Sequence, residues 1–291
     1  MPVCSMLRSQ VQHFFDPDTF TLSYVVTDTH SNHCVIIDPI LNYYPESGKI
    51  SEHSIHTIIT YIKEHKLQPK YILETHIHAD HISGAQILKK TFDVPIAMGA
   101  HVKQVQDYFN ALYHLEDDCG TAMDFDFLLK NDDTLTLGDL DIIGIETPGH
   151  TPACMSYCIG NHVFVGDTLF MPDYGTARCD FPNGDAATLF DSIQKLLSLP
   201  EQTQLMMCHD YMPEGRDLAW ETTVAEQKLK NIHVHDGINK EQFIKLRISR
   251  DKQLSTPKLL LPAIQMNIRA GKLPQAAMNG VRYLKIPLNQ L

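Results

Sequence analysis

The stretch THIHADHISGA, residues 75–85, places three histidines and an aspartate within six positions. A lone histidine is more often a satisfied core residue than a ligand, and two or three on a helix face are often just solvated. The setting argues against both. KYILE, residues 70–74, reads as a short apolar strand, and GAQILKKTF, residues 84–92, begins a helix with Gly84 easing the turn. The cluster therefore sits at a strand-to-helix loop, where α/β proteins commonly place their chemistry.

Length and composition set the bounds. A chain of 291 residues can bury a large core, as one big domain or two modest ones. An apolar fraction of 43% with 20% charged residues is that of a globular protein and excludes wholesale disorder. The net charge of -11 argues against a nucleic-acid or anionic-membrane partner, because either needs a basic surface. Cys4, Cys34, Cys119, Cys154, Cys158, Cys179 and Cys208 are odd in number, scattered and without a CxxC pair. They read as free thiols in a reducing compartment. MPVCSMLRSQVQHFF has no apolar run of signal-peptide length, and no stretch approaches the ~20 apolar residues that span a bilayer. A soluble, cytoplasmic protein is expected.

Short β-branched runs recur: TLSYVVTD, CVIIDP, YILET, DIIGIET, MSYCI, HVFVGD and QLMMC. Between them, SIHTIITYIKEH puts Ile55, Ile58, Ile59 and Ile62 on one helical face, and AATLFDSIQKLLSL does the same with Leu189, Ile193, Leu196 and Leu197. Strands divided by helices, with hairpin-like pairs as well, predict a mixed α/β architecture rather than a purely parallel sheet. After about Lys230 the chain turns basic and helical in NIHVHDGINKEQFIKLRISRD, then becomes Pro-punctuated in STPKLLLPAIQMNIRAGKLP. The expected division is a catalytic domain over residues 1–231 and an extension over 232–291 that packs on it or on a dimer partner.

Three further donors follow apolar runs or a Pro-Gly turn: His150 in TPGHTPAC, Asp167 in HVFVGDTLF and His209 in MCHDY. Each can sit at one end of a sheet. Neutral imidazole nitrogens mixed with carboxylate oxygens suit zinc, iron or manganese. In that order, THIHADH, TPGHT, VGDTLF and CHDY resemble the metallo-β-lactamase superfamily over roughly residues 21–231. The resemblance implies an αββα sandwich, two mixed β-sheets face to face and covered by helices, with the metal at one edge.

Binuclear members such as glyoxalase II hold one metal at positions matching His76, His78 and His150, and a second at Asp80, His81 and His209, bridged at Asp167. All seven are retained here. The flanking residues resemble the persulfide dioxygenases instead. Cys154 stands where glyoxalase II typically has a histidine, and GDTLFMPDYGTARCDFPNGDA, CHDYMPEGR and TTVAEQKLKN look like that branch. The 98–133 insertion and the tail resemble its bacterial type, sometimes called β-lactamase-like hydrolases. What this implies is one Fe(II) per chain on His76, His150 and Asp167, with His78, Asp80, His81 and His209 as the surrounding donors. Two histidines and one carboxylate cover one face of an octahedral iron and leave positions for dioxygen and the substrate sulfur. Zinc, which has no accessible redox change, belongs to the alternative of a thioester hydrolase. Glutathione persulfide and O2 are the expected substrates, with Arg178 for a carboxylate and the Tyr174 and Tyr211 hydroxyls near the site. Cys179 is expected to be structural because no base pairs with it in sequence. A homodimer is expected. A non-catalytic metal-binding scaffold is the reading that the complete donor set disfavours.

Overall fold

The computed structural model describes residues 9–115 and 124–290. Cys4, Cys119 and part of the 98–133 insertion lie outside them. Strands β1 (Ser9–Asp16), β2 (Thr21–Asp28) and β3 (His33–Ile37) form an antiparallel meander, which β6 (Gln68–Leu73), β8 (Ile96–Gly99) and β9 (Phe127–Leu129) continue in parallel. A second sheet runs in chain order through β10 (Thr134–Leu137), β11 (Leu140–Glu146), β12 (Met155–Ile159), β13 (His162–Phe164), β14 (Gln204–Met206) and β15 (Glu221–Thr223). Only β13 and β14 pair in parallel there. A smaller sheet orders β5 (Lys49–Ser51), β4 (Ile40–Tyr44) and β7 (Ile82–Ser83).

Strand alternation decides which face meets what. Leu22, Tyr24 and Val26 of β2 share one apolar cluster with Val35 and Ile37 of β3 and with Met155, Tyr157 and Ile159 of the opposite sheet. The alternate residues Val25, Cys34 and Ile36 instead meet helices α1 (His53–Glu64), α2 (Ala85–Phe92) and α3 (Val102–Tyr113). Every residue of β2 is consequently buried, as expected of a strand covered on both faces. Helix α4 (Ala186–Leu197) turns Leu189, Ile193, Leu196 and Leu197 into the first cluster and carries α5 (Val224–Lys230) and α6 (Lys240–Asp251) on its flank. The sandwich is thus helix, sheet, sheet, helix, as the sequence implies.

The isoleucines of α1 are all buried where the 3.6 period puts them, each stabilising by about 1.5–3 kcal/mol relative to exposure. Gly84 plays a different part from the one the sequence suggests. Its φ is −91°, open to any residue, but a Cβ there would lie 2.1 Å from Ile55 Cδ1. Glycine here leaves room for the Ile55 side chain of α1, and β7 intervenes between the histidine cluster and α2. No helix among the described residues is long and apolar enough to cross a membrane.

Candidate metal centre

The donors occupy loops that leave the C-terminal ends of four strands. His76, His78, Asp80 and His81 follow β6 of the first sheet; His150 follows β11, Asp167 follows β13 and His209 follows β14 of the second. Gly166, at φ +53°, makes the left-handed turn that delivers Asp167, and a side chain there would meet Thr75 at 2.8 Å. The ligand atoms of His76, His150 and Asp167 lie within 4.8 Å of one another, as do those of His78, Asp80 and His81. Asp167 faces both groups. Its Oδ2 is 3.9 Å from His76 Nε2 and 3.7 Å from His150 Nε2, while its Oδ1 is 3.4 Å from His209 Nε2. His209 Nε2 is in turn 3.1 Å from Asp80 Oδ2.

Whether these residues fit an ion is decided by their remaining atoms. His150 Nδ1 donates to the Arg178 carbonyl at 2.7 Å, and His78 Nε2 lies 3.0 Å from Asp38 Oδ1. His76 Nδ1 meets Thr75 Oγ1 at 3.0 Å, and His209 Nδ1 donates to the Phe20 carbonyl at 3.3 Å. The opposite atoms, His76 Nε2, His78 Nδ1, His81 Nε2, His209 Nε2, Asp80 Oδ2 and Asp167 Oδ1, are buried without a hydrogen-bond partner. Buried polar atoms are nearly always paired, and each orphan costs about 1–3 kcal/mol. Six converging on one spot, each ring anchored by its other nitrogen, is the arrangement of ligands that a cation satisfies.

Charge is distributed to suit. Burial, with His78 and His150 close by, holds the His76 imidazole well below its usual range, and burial with His78 lowers His81 as well, so both rings are neutral and able to ligate. Burial opposes ionisation of Asp80, yet His209 and His81 keep its carboxyl well below the ordinary range. Behind the centre, Asp38 accepts from the Thr75 N–H at 2.7 Å and Thr75 Oγ1 at 2.8 Å besides touching His78. Its φ of +47° is a strained choice for a side-chain-bearing residue, held by those contacts. Burial disfavours a charged His78, but Asp38 and Glu74 outweigh it and hold the imidazole well above its usual range; Nε2 faces these two carboxylates and Nδ1 is left without a hydrogen-bond partner.

A cavity of about 600 Å³ opens over the donors, its lining including the aromatic Phe20, Phe170, Tyr174 and Tyr211 and the cationic Arg178, Arg250 and Lys258. Tyr174 and Tyr211 stack at 4.6 Å, and Tyr211 lies parallel to the His209 ring at 5.7 Å. Burial pushes both phenols up, aided at Tyr211 by Asp80 and Asp167, so their hydroxyls stay protonated. Arg178 reaches the cavity with its fork engaged: Nε and Nη2 contact Asp180 at 2.5 and 2.6 Å, and Nη1 donates to the Ser255 carbonyl at 2.8 Å. The side chains of Arg250 and Lys258 pair with no described residue. Burial pushes the Cys154 thiol up to about 12 and Cys179 higher still, so neither is a thiolate at neutral pH. No disulfide joins any of the five described cysteines to another.

Sequence reasoning passed over Asp38, Glu74, Arg250 and Lys258. Asp38 closes the run CVIIDP at a strand end, which is a signal of a kind. Glu74 and the two cations offer none, since charged residues at such places are usually solvated.

A family model described as the Metallo-beta-lactamase superfamily matches residues 16–209, a span holding all seven donors. The chain is 48% identical over 287 residues to Glyoxylase B2 of Dictyostelium discoideum, covering 98% of each. It is 28% identical over 264 residues to persulfide dioxygenase ETHE1, mitochondrial, of Homo sapiens, covering 90% of this chain and 88% of that one. Among solved structures, ETHE1 from Myxococcus xanthus aligns with a TM-score of 0.72 at 28% identity, covering 90% of this chain and 100% of that one.

Proposed function

We propose, starting from a chain that belongs to the metallo-beta-lactamase superfamily, that it is an iron-dependent sulfur dioxygenase taking glutathione persulfide and dioxygen to sulfite and glutathione. The observation that carries this reading is the compact group of His76, His150 and Asp167, whose carboxylate and second histidine line the floor of the cavity. Two histidines and a carboxylate are the ligand set of non-haem Fe(II) oxygenases, and the similarity to persulfide dioxygenase ETHE1 supports it. Bound there, iron would supply the redox change that lets dioxygen oxidise sulfur.

The chain's own groups hold and orient the substrate. Arg250 and Lys258, unpaired among the described residues, offer positive charge to the carboxylates of glutathione, on a protein that is acidic overall. The protonated Tyr174 and Tyr211 hydroxyls can only donate toward an anion, so they favour a bound thiolate or persulfide. His150 keeps its orientation through the Arg178 carbonyl. The overall reaction balances as persulfide, dioxygen and water giving glutathione, sulfite and two protons. The S–S bond breaks, and the outer sulfur passes four electrons to dioxygen.

A second reading, a thioester hydrolase with two metals, is favoured by the free ligand atoms of Asp80, His81 and His209 and by the similarity to Glyoxylase B2. Protein purified without oxygen, assayed for metal, for oxygen uptake with glutathione persulfide and for S-lactoylglutathione hydrolysis, separates the two. One iron per chain, persulfide-dependent uptake, and an Asp80→Ala variant that keeps its iron while slowing about 10–100-fold are expected. Two tightly bound metals, both required for thioester cleavage, would transfer the assignment to the hydrolase.

A further inference from the structure

Helix α7 (Leu260–Asn267) belongs to the C-terminal extension, yet it ends on the metal loop. Its last residue, Asn267, is 3% exposed and uses its whole amide there. Nδ2 donates to the carbonyls of His78 at 2.8 Å and His81 at 2.7 Å, and Oδ1 accepts from the Ser83 N–H at 2.8 Å. The side chains of His78, Asp80 and His81 therefore project from a span of backbone gripped at both ends. Buried carbonyls in an irregular loop need partners, and here one side chain from nearly two hundred positions away supplies them.

The helix is itself fixed where it stands. Just beyond it, Gly271 approaches so closely that a Cβ would lie 2.3 Å from the Ser83 carbonyl oxygen. Gln106 of α3 donates to the Ile268 carbonyl at 2.7 Å. Leu41, Ile82, Leu259, Ala263 and Met266 form an apolar cluster beneath the contact. An amide is what this junction needs: aspartate would lose both donors, leucine every hydrogen bond, and glutamine would be a carbon too long.

We infer that Asn267 is a positioning residue of the metal centre, fixing the backbone of the His78 to His81 span so that its three side chains stand oriented around the ion that His76, His150 and Asp167 would hold. This rests on the reading that those donors hold a metal. The full-length chain, stripped of metal and titrated with Co(II), tests it through the visible spectrum at saturation and the rate of cobalt release to a chelator. Asn267→Ala is expected to weaken cobalt binding about 10–100-fold, to speed its release and to alter the spectrum. A residue that merely glued the extension down would lower the melting temperature of the metal-free protein and leave the spectrum and release rate of folded protein as in the native chain; that result overturns the inference. Should the alanine variant fail to fold, Asn267→Asp, which keeps the shape and the acceptor for Ser83 but loses both donors, decides by the same readouts. Native chain that binds no cobalt would refute the metal reading, whereas native and variant chains binding it alike would refute only the role of Asn267.

Discussion

Single residues divide into those whose chemistry showed in the sequence and those whose partners had to be seen. The seven side chains were legible through the dense cluster at residues 76–81 and through the order of THIHADH, TPGHT, VGDTLF and CHDY, since single histidines and aspartates are more often structural. Which nitrogen of each ring faces the ion was not, since that depends on Thr75, Asp38, Arg178 and Phe20, all distant or chemically unremarkable in the chain. Arg178 and Arg250 illustrate the same limit. The guanidinium expected to bind substrate is bidentate on Asp180, while an arginine on α6 stands unpaired among described residues in the same cavity. Arg250→Ala should raise KM for the persulfide by about tenfold, with kcat and metal content spared. Arg178→Ala should lower metal content as well, because the side chain's bonds to Asp180 and the Ser255 carbonyl hold in place the backbone carbonyl that anchors His150. Kinetics and metal analysis on the same preparations check both; an unchanged KM for Arg250→Ala rejects it as a substrate contact.

Among the elements, long periodic segments were readable and short ones were not. The buried faces of α1 and α4 follow from the spacing of isoleucine and leucine alone. The three-stranded sheet of β5, β4 and β7 did not show itself, because β7 has only two residues and β4 carries Asn42 and two tyrosines. Nor could the extension's attachment be read. Arg247 of α6 is buried against Asp251 and donates to the Thr176 carbonyl, and Asp251 accepts from the Cys179 N–H. With Asn267 on the other loop, the extension grips both sides of the centre. Deleting residues 240–291 should expose Leu41 and Ile82, free both loops, and yield a protein that aggregates and retains little metal. Light scattering and metal analysis of the truncated chain test this, and a monodisperse, metal-loaded product would count against it.

For the molecule as a whole, the order of the strands in the two sheets was beyond sequence reading, since parallel crossovers pair segments far apart in the chain. Stability offers a test at this scale. His233 is neutral in the folded state: burial, with Arg247 and Arg250 nearby, lowers it from 6.5 to about 4, and its Nδ1 accepts from the Thr176 N–H at 3.0 Å. The unfolded chain binds this proton first as pH falls from 6.5 toward 4. Its contribution is thus whole above 6.5 and lost through that window, by up to about 3 kcal/mol. Denaturant unfolding of metal-free protein at pH 7 and pH 4.5 should show His233→Asn losing less stability between the two than the native chain. Equal losses would show that His233 is protonated at no cost in the fold.

The ligand set straddles the two layers, with four donors on the first sheet's loop and three on loops of the second. An ion held by His76 from the first layer and by His150 and Asp167 from the second would act as a rivet. Sheets in a sandwich slide against each other by small shears, since apolar contacts between them are many but weakly directional. At the riveted edge such sliding would stretch bonds of fixed length, whereas the opposite edge is free of that constraint. Slow breathing of this sandwich should therefore be hinged, wide at the edge away from the donors and stiff where substrate enters.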